Sequence, residues 1–146
     1  MGTISSPLDR PIRTAAVIST EDEAIAVART IAGVFGGSGQ SLETAEARLD
    51  LLSRSGLLGV SVPTDHGGID VSNTILATIC TEAAAQSATL GEILAAHFVG
   101  LERVRSLGAE GQHNTVFSAA LAGARLAGAS VQRKEAPTDA LTLVPH

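Results

Sequence analysis

GLLGVSVPTDHGG, residues 56–68, is apolar and sharply turning at once. It packs four glycines and a proline among leucines and valines, between two segments with helical patterning. A connection that ran through water would be expected to be polar. The reading that follows is a buried crossing. LLGVSVP is expected to run extended and apolar across a helical bundle, and Pro63 ends it. TDHGG makes a tight turn in which Gly67 and Gly68 supply backbone geometry that other residues resist, and DVS opens the next helix.

The flanks carry the helical signal. STEDEAIAVARTIAGVF starts with hydroxyl residues and three acids, which suits a capped helix start facing the macrodipole. Its Ala24, Ala28, Ile31 and Phe35 recur at helical spacing, and GGSGQ then turns the chain. The second helix is read in SLETAEARLDLLSRSG, with Ser41, Glu43, Thr44 and Glu46 as start signals. Leu42, Ala45, Leu49 and Leu52 form its stripe, and Gly56 follows its end. A third helix opens at Asp70 or Ser72, with Ile75, Ile79 and Ala83 on one face and Leu76 and Cys80 beside them. The fourth, TLGEILAAHFVGLERVRSLG, places Leu90, Leu94, His97, Leu101 and Val104 on a bundle seam, and Gly108 caps it. A fifth, shorter helix covers about Glu110 to Ala122. Beyond Gly123, ARLAGASV and DALTLVPH are strand-like and flank the polar QRKEAPT. The expected fold is all-α: an extended arm over 1–18, an antiparallel bundle of about five helices over 19–123, and a short β-like stub over 124–146.

Composition narrows the function classes. The chain has 146 residues, enough for one core, and that core must be aliphatic because there are three Phe and no Trp or Tyr. A net charge of -5, with Lys134 the sole lysine and the arginines scattered, argues against a nucleic-acid surface. No apolar run reaches the roughly 20 residues that span a bilayer, and the N-terminus lacks the layout of a signal peptide. MGTISS fits a loose myristoylation pattern through Gly2 and Ser6, without a basic partner. The single cysteine, Cys80, fits a reducing compartment, and a cytoplasmic location is expected. The four histidines, 66, 97, 113 and 146, show no metal-ligand spacing, so no metal site is expected. FGGSG, residues 35–39, follows a helix rather than a strand, which makes it a linker and not a phosphate loop.

The order and spacing of GLLGVSVPTDHGG resemble the N-terminal helical domain of the acyl-CoA dehydrogenase superfamily, where a GLxGxxxPxxxGG segment precedes a helix. LGAEGQ at 107–112, with LAG at 121–123, resembles the passage that leads from that domain into the family's middle β-domain. VISTEDEAIAVARTIAGVF and SATLGEILAAHFVGLERVRSLG look most like the sulfur-acquisition oxidoreductases, relatives of the dibenzothiophene monooxygenases. The resemblance covers roughly residues 17–130. There are departures. GGSGQ lacks the Arg-rich loop of relatives, and His66 stands where an aromatic, usually Tyr, is common. Gln112–His113 replaces QK, and Gly123–Ala124 replaces GE.

The resemblance implies the front of a three-part protein whose flavin, FAD or FMN, lies mainly between two later domains. It implies a flavin-dependent oxidoreductase, expected to be a reduced-flavin monooxygenase acting on a small organosulfur compound and homo-oligomeric when complete. The alternative is an acyl-CoA dehydrogenase, whose catalytic carboxylate would lie beyond His146. A further alternative is a truncated helical fragment or interaction module, without catalysis of its own. For His97, the resemblance implies a place beside the substrate cavity, where imidazole would donate a hydrogen bond to the activated oxygen or to substrate. The residue itself reads equally as a core histidine bonded to a backbone carbonyl. Ser87, Thr89 and Gly91, at the start of the fourth helix, are substrate-binding candidates if that terminus faces an oxygen-rich ligand, and otherwise serve as its cap. His66 reads as a surface turn residue, His113 as exposed, and Cys80 as a small core residue.

Overall fold

Thr20 begins the regular structure. Its hydroxyl accepts from the Glu23 N–H (3.1 Å) while the Glu23 carboxylate accepts from the Thr20 N–H (3.2 Å), a reciprocal cap for helix α1, Glu21–Phe35. The same chemistry starts three more helices: Thr44 caps α2 (Ala45–Arg54), Ser72 caps α3 (Asn73–Gln86) and Ser87 caps α4 (Ala88–Leu107). Helix α5 (Glu110–Leu121) follows Gly108. This computed structural model describes residues 15–37, 44–127 and 142–144. The readings made on 1–14, 38–43, 128–141 and 145–146 lie outside the described residues; among them are Gly2, Ser6, Ser41, Leu42, Glu43, Lys134 and His146.

Helices α1, α3 and α4 form the main layer, α3 lying between the other two. Ala24, Ala28, Ile31, Leu52, Ile79, Ala83, Leu90 and Leu94 make an aliphatic core there. All five seam residues expected on α4 are buried. On α2 the expected stripe shifts: Leu52 is buried and Leu49 half-buried, but Ala45 is exposed, and Ser53 takes the inward position beside Leu52. The end of the arm, residues 15–18, is held against the helices. Ile18 is buried, and the Ala16 N–H donates to the Arg54 carbonyl (3.0 Å) at the end of α2. A smaller core joins Val62, Leu101, Val104, Val116, Phe117, Ala120 and Leu126 under α5. Two short strands complete the fold. β1 (Arg125–Ala127) pairs antiparallel with β2 (Thr142–Val144), with Leu126 opposite Leu143.

The turning segment is buried, yet it is not extended. Leu57–Gly59 forms a 3-10 turn, with the Val60 N–H donating to the Leu57 carbonyl and Val62 N–H to Gly59. The reason is local. Gly56 has φ +88°, and a Cβ there would lie 2.4 Å from the Ala16 carbonyl oxygen, so the chain reverses here and then coils tightly. Only after Val60 does it straighten enough to accept from the Val71 N–H (3.0 Å), and Val62 accepts from Asp70 (3.0 Å). Within TDHGG only Gly67 is left-handed, at φ +97°. Gly68 serves a different need: a Cβ would meet the Val62 carbonyl oxygen at 2.1 Å.

Candidate functional site

Helix α4 and its cap Ser87 carry every site residue expected from the sequence, and the helix has a buried seam continuous from Leu90 to Val104. Those residues do not converge. Ser87 and His97 are ten positions apart, about 15 Å along the axis. Ser87 closes α3 and opens α4: its N–H donates to the Ala83 carbonyl (2.9 Å), and its hydroxyl accepts from the Leu90 N–H (3.2 Å). Gly91 is buried against α3, where a Cβ would stand 2.7 Å from the Ala84 Cβ. It lets the two helices touch and has no surface to offer a ligand. Thr89 is exposed.

His97 is wholly buried, and both ring nitrogens are engaged. Nε2 lies 2.7 Å from the Leu58 carbonyl oxygen in the 3-10 turn, and Nδ1 lies 3.0 Å from the Leu126 backbone nitrogen on β1. A carbonyl can only accept and a backbone N–H can only donate. The ring is therefore the neutral tautomer that donates from Nε2–H and accepts at Nδ1. Burial disfavours the charged form and pushes the imidazole down to about 4. The Leu58 bond works against that shift, and the Arg125 charge adds to it. The backbone-carbonyl partner weighed from the sequence is present, and a second backbone partner accompanies it.

A groove of about 320 Å³ opens on another face of α4, against α3. Leu76, Cys80, Ala95, Phe98 and Val99 wall it, and Val99 is 58% exposed. Its polar end holds Ser61, Asn73, Glu102 and Arg105. Arg105 donates to Asp70 (2.5 Å) and lies 3.7 Å from Glu102, so its charge is already balanced. Asp70 holds φ +50° there, an uncommon conformation for a residue with a Cβ. The Ser61 hydroxyl, at this end, is buried without a hydrogen-bond partner among the described residues. Sequence reading missed this polar end; the Glu102/Arg105 spacing on one helix was the available signal. Cys80 is half-buried, packed against the main core and also lining the groove, and burial raises its thiol above the usual range, which disfavours a nucleophilic thiolate.

His66 and His113 are also less exposed than the sequence implied. His66 and His113 are both half-buried, 5.9 Å apart between ring centroids and edge to face. Each packs on Phe117, at 5.0 Å and 5.5 Å. His113 Nε2–H donates to the Val104 carbonyl (2.8 Å). His66 thus does the packing work of an aromatic at that position. Among the described residues no group of three or more His, Cys, Asp or Glu is placed to hold a metal ion, and no helix is long and apolar enough to cross a membrane.

A second hollow of about 260 Å³ lies between residues 15–18 and the glycines of the turning segment. Both volumes sit at or below the lower edge of ordinary ligand pockets. The hollow has no cationic side chain, and the groove's Arg105 is already paired. Residues 23–124 match the family model described as acyl-CoA dehydrogenase, N-terminal domain. No curated protein matches the chain.

Proposed function

Because this chain belongs to the acyl-CoA dehydrogenase family, whose N-terminal domain spans residues 23–124 here, we propose that it forms the helical wall of a flavin-dependent oxidoreductase site, with oxygenation of a small organosulfur compound as the reaction. The flavin, FAD or FMN, supplies the redox chemistry when bound. The chain's own residues hold the substrate's apolar part and keep water from it. The observation that carries the substrate class is the α3/α4 groove: about 320 Å³, floored by Phe98 and Leu76, with small alanine side chains at Ala77 and Ala95. That space suits a compact apolar molecule, whose one polar group would meet the Asn73, Glu102 and Arg105 end of the groove.

Among the residues singled out on α4, exposed Thr89 is the side chain available to touch a ligand, while Ser87 and Gly91 shape the helix start behind it. For His97 the geometry supports a positioning part over a catalytic one, since a proton donated to substrate would have to leave the Leu58 bond. Dehydrogenation of an acyl-CoA is the second reading, favoured by the family description itself.

The test begins with the native protein purified from its own cells. Its released flavin is identified, and turnover is measured two ways. Oxygen-dependent conversion of a small thioether or sulfone with reduced flavin is the expected result. Anaerobic bleaching of bound FAD by an acyl-CoA would replace it with the dehydrogenase reading. Absence of both flavin and turnover would leave a helical interaction module.

A further inference from the structure

His97 joins three pieces of chain that are distant in sequence: the 3-10 turn at Leu58, helix α4 and strand β1 at Leu126. β1 has one residue facing inward, Leu126, 3% exposed. Its side chain fills the space above Gly100, where a Cβ would stand 2.9 Å from Leu126 Cδ1. Its backbone N–H ends on the His97 ring. The strand is thus seated by one side chain on α4 and by one hydrogen bond to an imidazole.

That bond has a condition. Nδ1 accepts only while it carries no proton, and Nε2 must carry one to satisfy Leu58. Adding a proton at Nδ1 sets N–H against N–H at the Leu126 contact. We infer that His97 is a positioning residue that seats β1 on the helical layer, and that only its neutral Nε2–H form does so. The charged and titratable surroundings favour that form. Arg125 on β1 adds positive charge near the ring, the Leu57–Gly59 turn carries no titratable side chain, and His113 of α5 is committed to Val104. The main core of α1, α3 and α4 contains no titratable side chain among its buried residues, so protonating His97 acts on β1 and the turn rather than on that core. This inference does not depend on the oxidoreductase reading, since it concerns how the chain is assembled and its readouts need no flavin.

The experiment uses the full 146-residue chain. Nitrogen-15 spectra of the histidine rings at neutral pH are expected to show His97 protonated at Nε2 and bare at Nδ1; protonation at Nδ1 would overturn the inference. Amide exchange is then followed at Leu126, with Leu94 as the core reference. In His97→Leu, Leu126 exchange is expected to rise about 10- to 100-fold relative to Leu94, and unchanged protection would overturn the assignment. His97→Gln, which retains one donor and one acceptor, should recover part of the protection; a Gln variant no better than Leu counts against a hydrogen-bonding role. Should the variants fail to fold, acidification of the unmodified chain decides. Leu126 protection lost together with His97 protonation, while Leu94 stays protected, supports the inference. Simultaneous loss at both amides overturns it.

Discussion

The two cores of this domain are built on different principles. Around α1, α3 and α4, aliphatic side chains interlock, and the polar chemistry stays at the helix starts: Thr20, Ser72 and Ser87 accept from their own first turns. Where α4 meets α5, the turning segment and β1, polar side chains enter the interior. His97 and His113 bond to backbone groups, and the Ser53 hydroxyl and Arg125 Nε are buried without partners among the described residues. Apolar burial is non-directional and tolerates small shifts. A buried hydrogen bond to a backbone group is directional, and losing one partner strands the other. The first region should therefore respond to volume, and the second to chemistry at constant volume.

His97→Leu gives the sharpest break, since it keeps the bulk and strands the Leu58 carbonyl and the Leu126 N–H. The expected loss is about 1–3 kcal/mol for each stranded group, read as the urea midpoint. Acid should then separate the regions without mutation. His97 lies near 4 in the fold against an ordinary 6.5, so the unfolded chain takes up its proton first. Stability from this ring is complete above about pH 6.5 and is lost as pH falls through about 4, a contribution of about 3 kcal/mol. Chemical unfolding across that range in His97→Leu should show a flatter pH dependence than the parent; an equal slope would assign the acid sensitivity elsewhere.

On the aliphatic side, Gly91→Leu forces α3 off α4 at Ala84 and should cost about 1–3 kcal/mol, while leaving the His97 ring signals in place. His113→Phe keeps a ring against Phe117 but abandons the Val104 carbonyl. At a half-buried position the expected loss is about 0.5–1.5 kcal/mol. Ser53→Ala is the smallest change and runs the other way. It removes a buried hydroxyl that has no partner among the described residues, and the thermal midpoint should hold or rise. A fall of several degrees would mean that the hydroxyl is satisfied in solution.

The same contrast explains what could be read from the sequence. Helical period and caps are local signals, so α1, α3 and α4 were legible nearly to the residue, along with the whole seam of α4. The turning segment was recognisable as buried, but its 3-10 coil was not, because it depends on how closely Gly56 approaches Ala16, forty positions earlier in the chain. Ala45 on α2 was misjudged for a related reason: a helical stripe has a period but no fixed phase until its neighbours are placed. The acids in the first turn of α1 read from sequence as dipole partners. Glu23 closes the cap, and Glu21 also reaches across to accept from the Ser72 N–H (3.0 Å) at the start of α3, a contact no periodicity encodes. The candidate site was legible only as a helix. Which residues of α4 face the groove and which face β1 is decided by α3 and Leu126, not by α4 itself.

The three phenylalanines stand in three different settings. Phe35 lies at the end of α1, Phe98 floors the groove, and Phe117 carries the two imidazoles. With no tyrosine or tryptophan in the chain, replacing phenylalanine by its 4-fluoro analogue would give a fluorine spectrum of only three lines. One line would report on helix packing, one on whatever enters the groove, and one on the stacking of His66 and His113 against Phe117, each visible without further mutation.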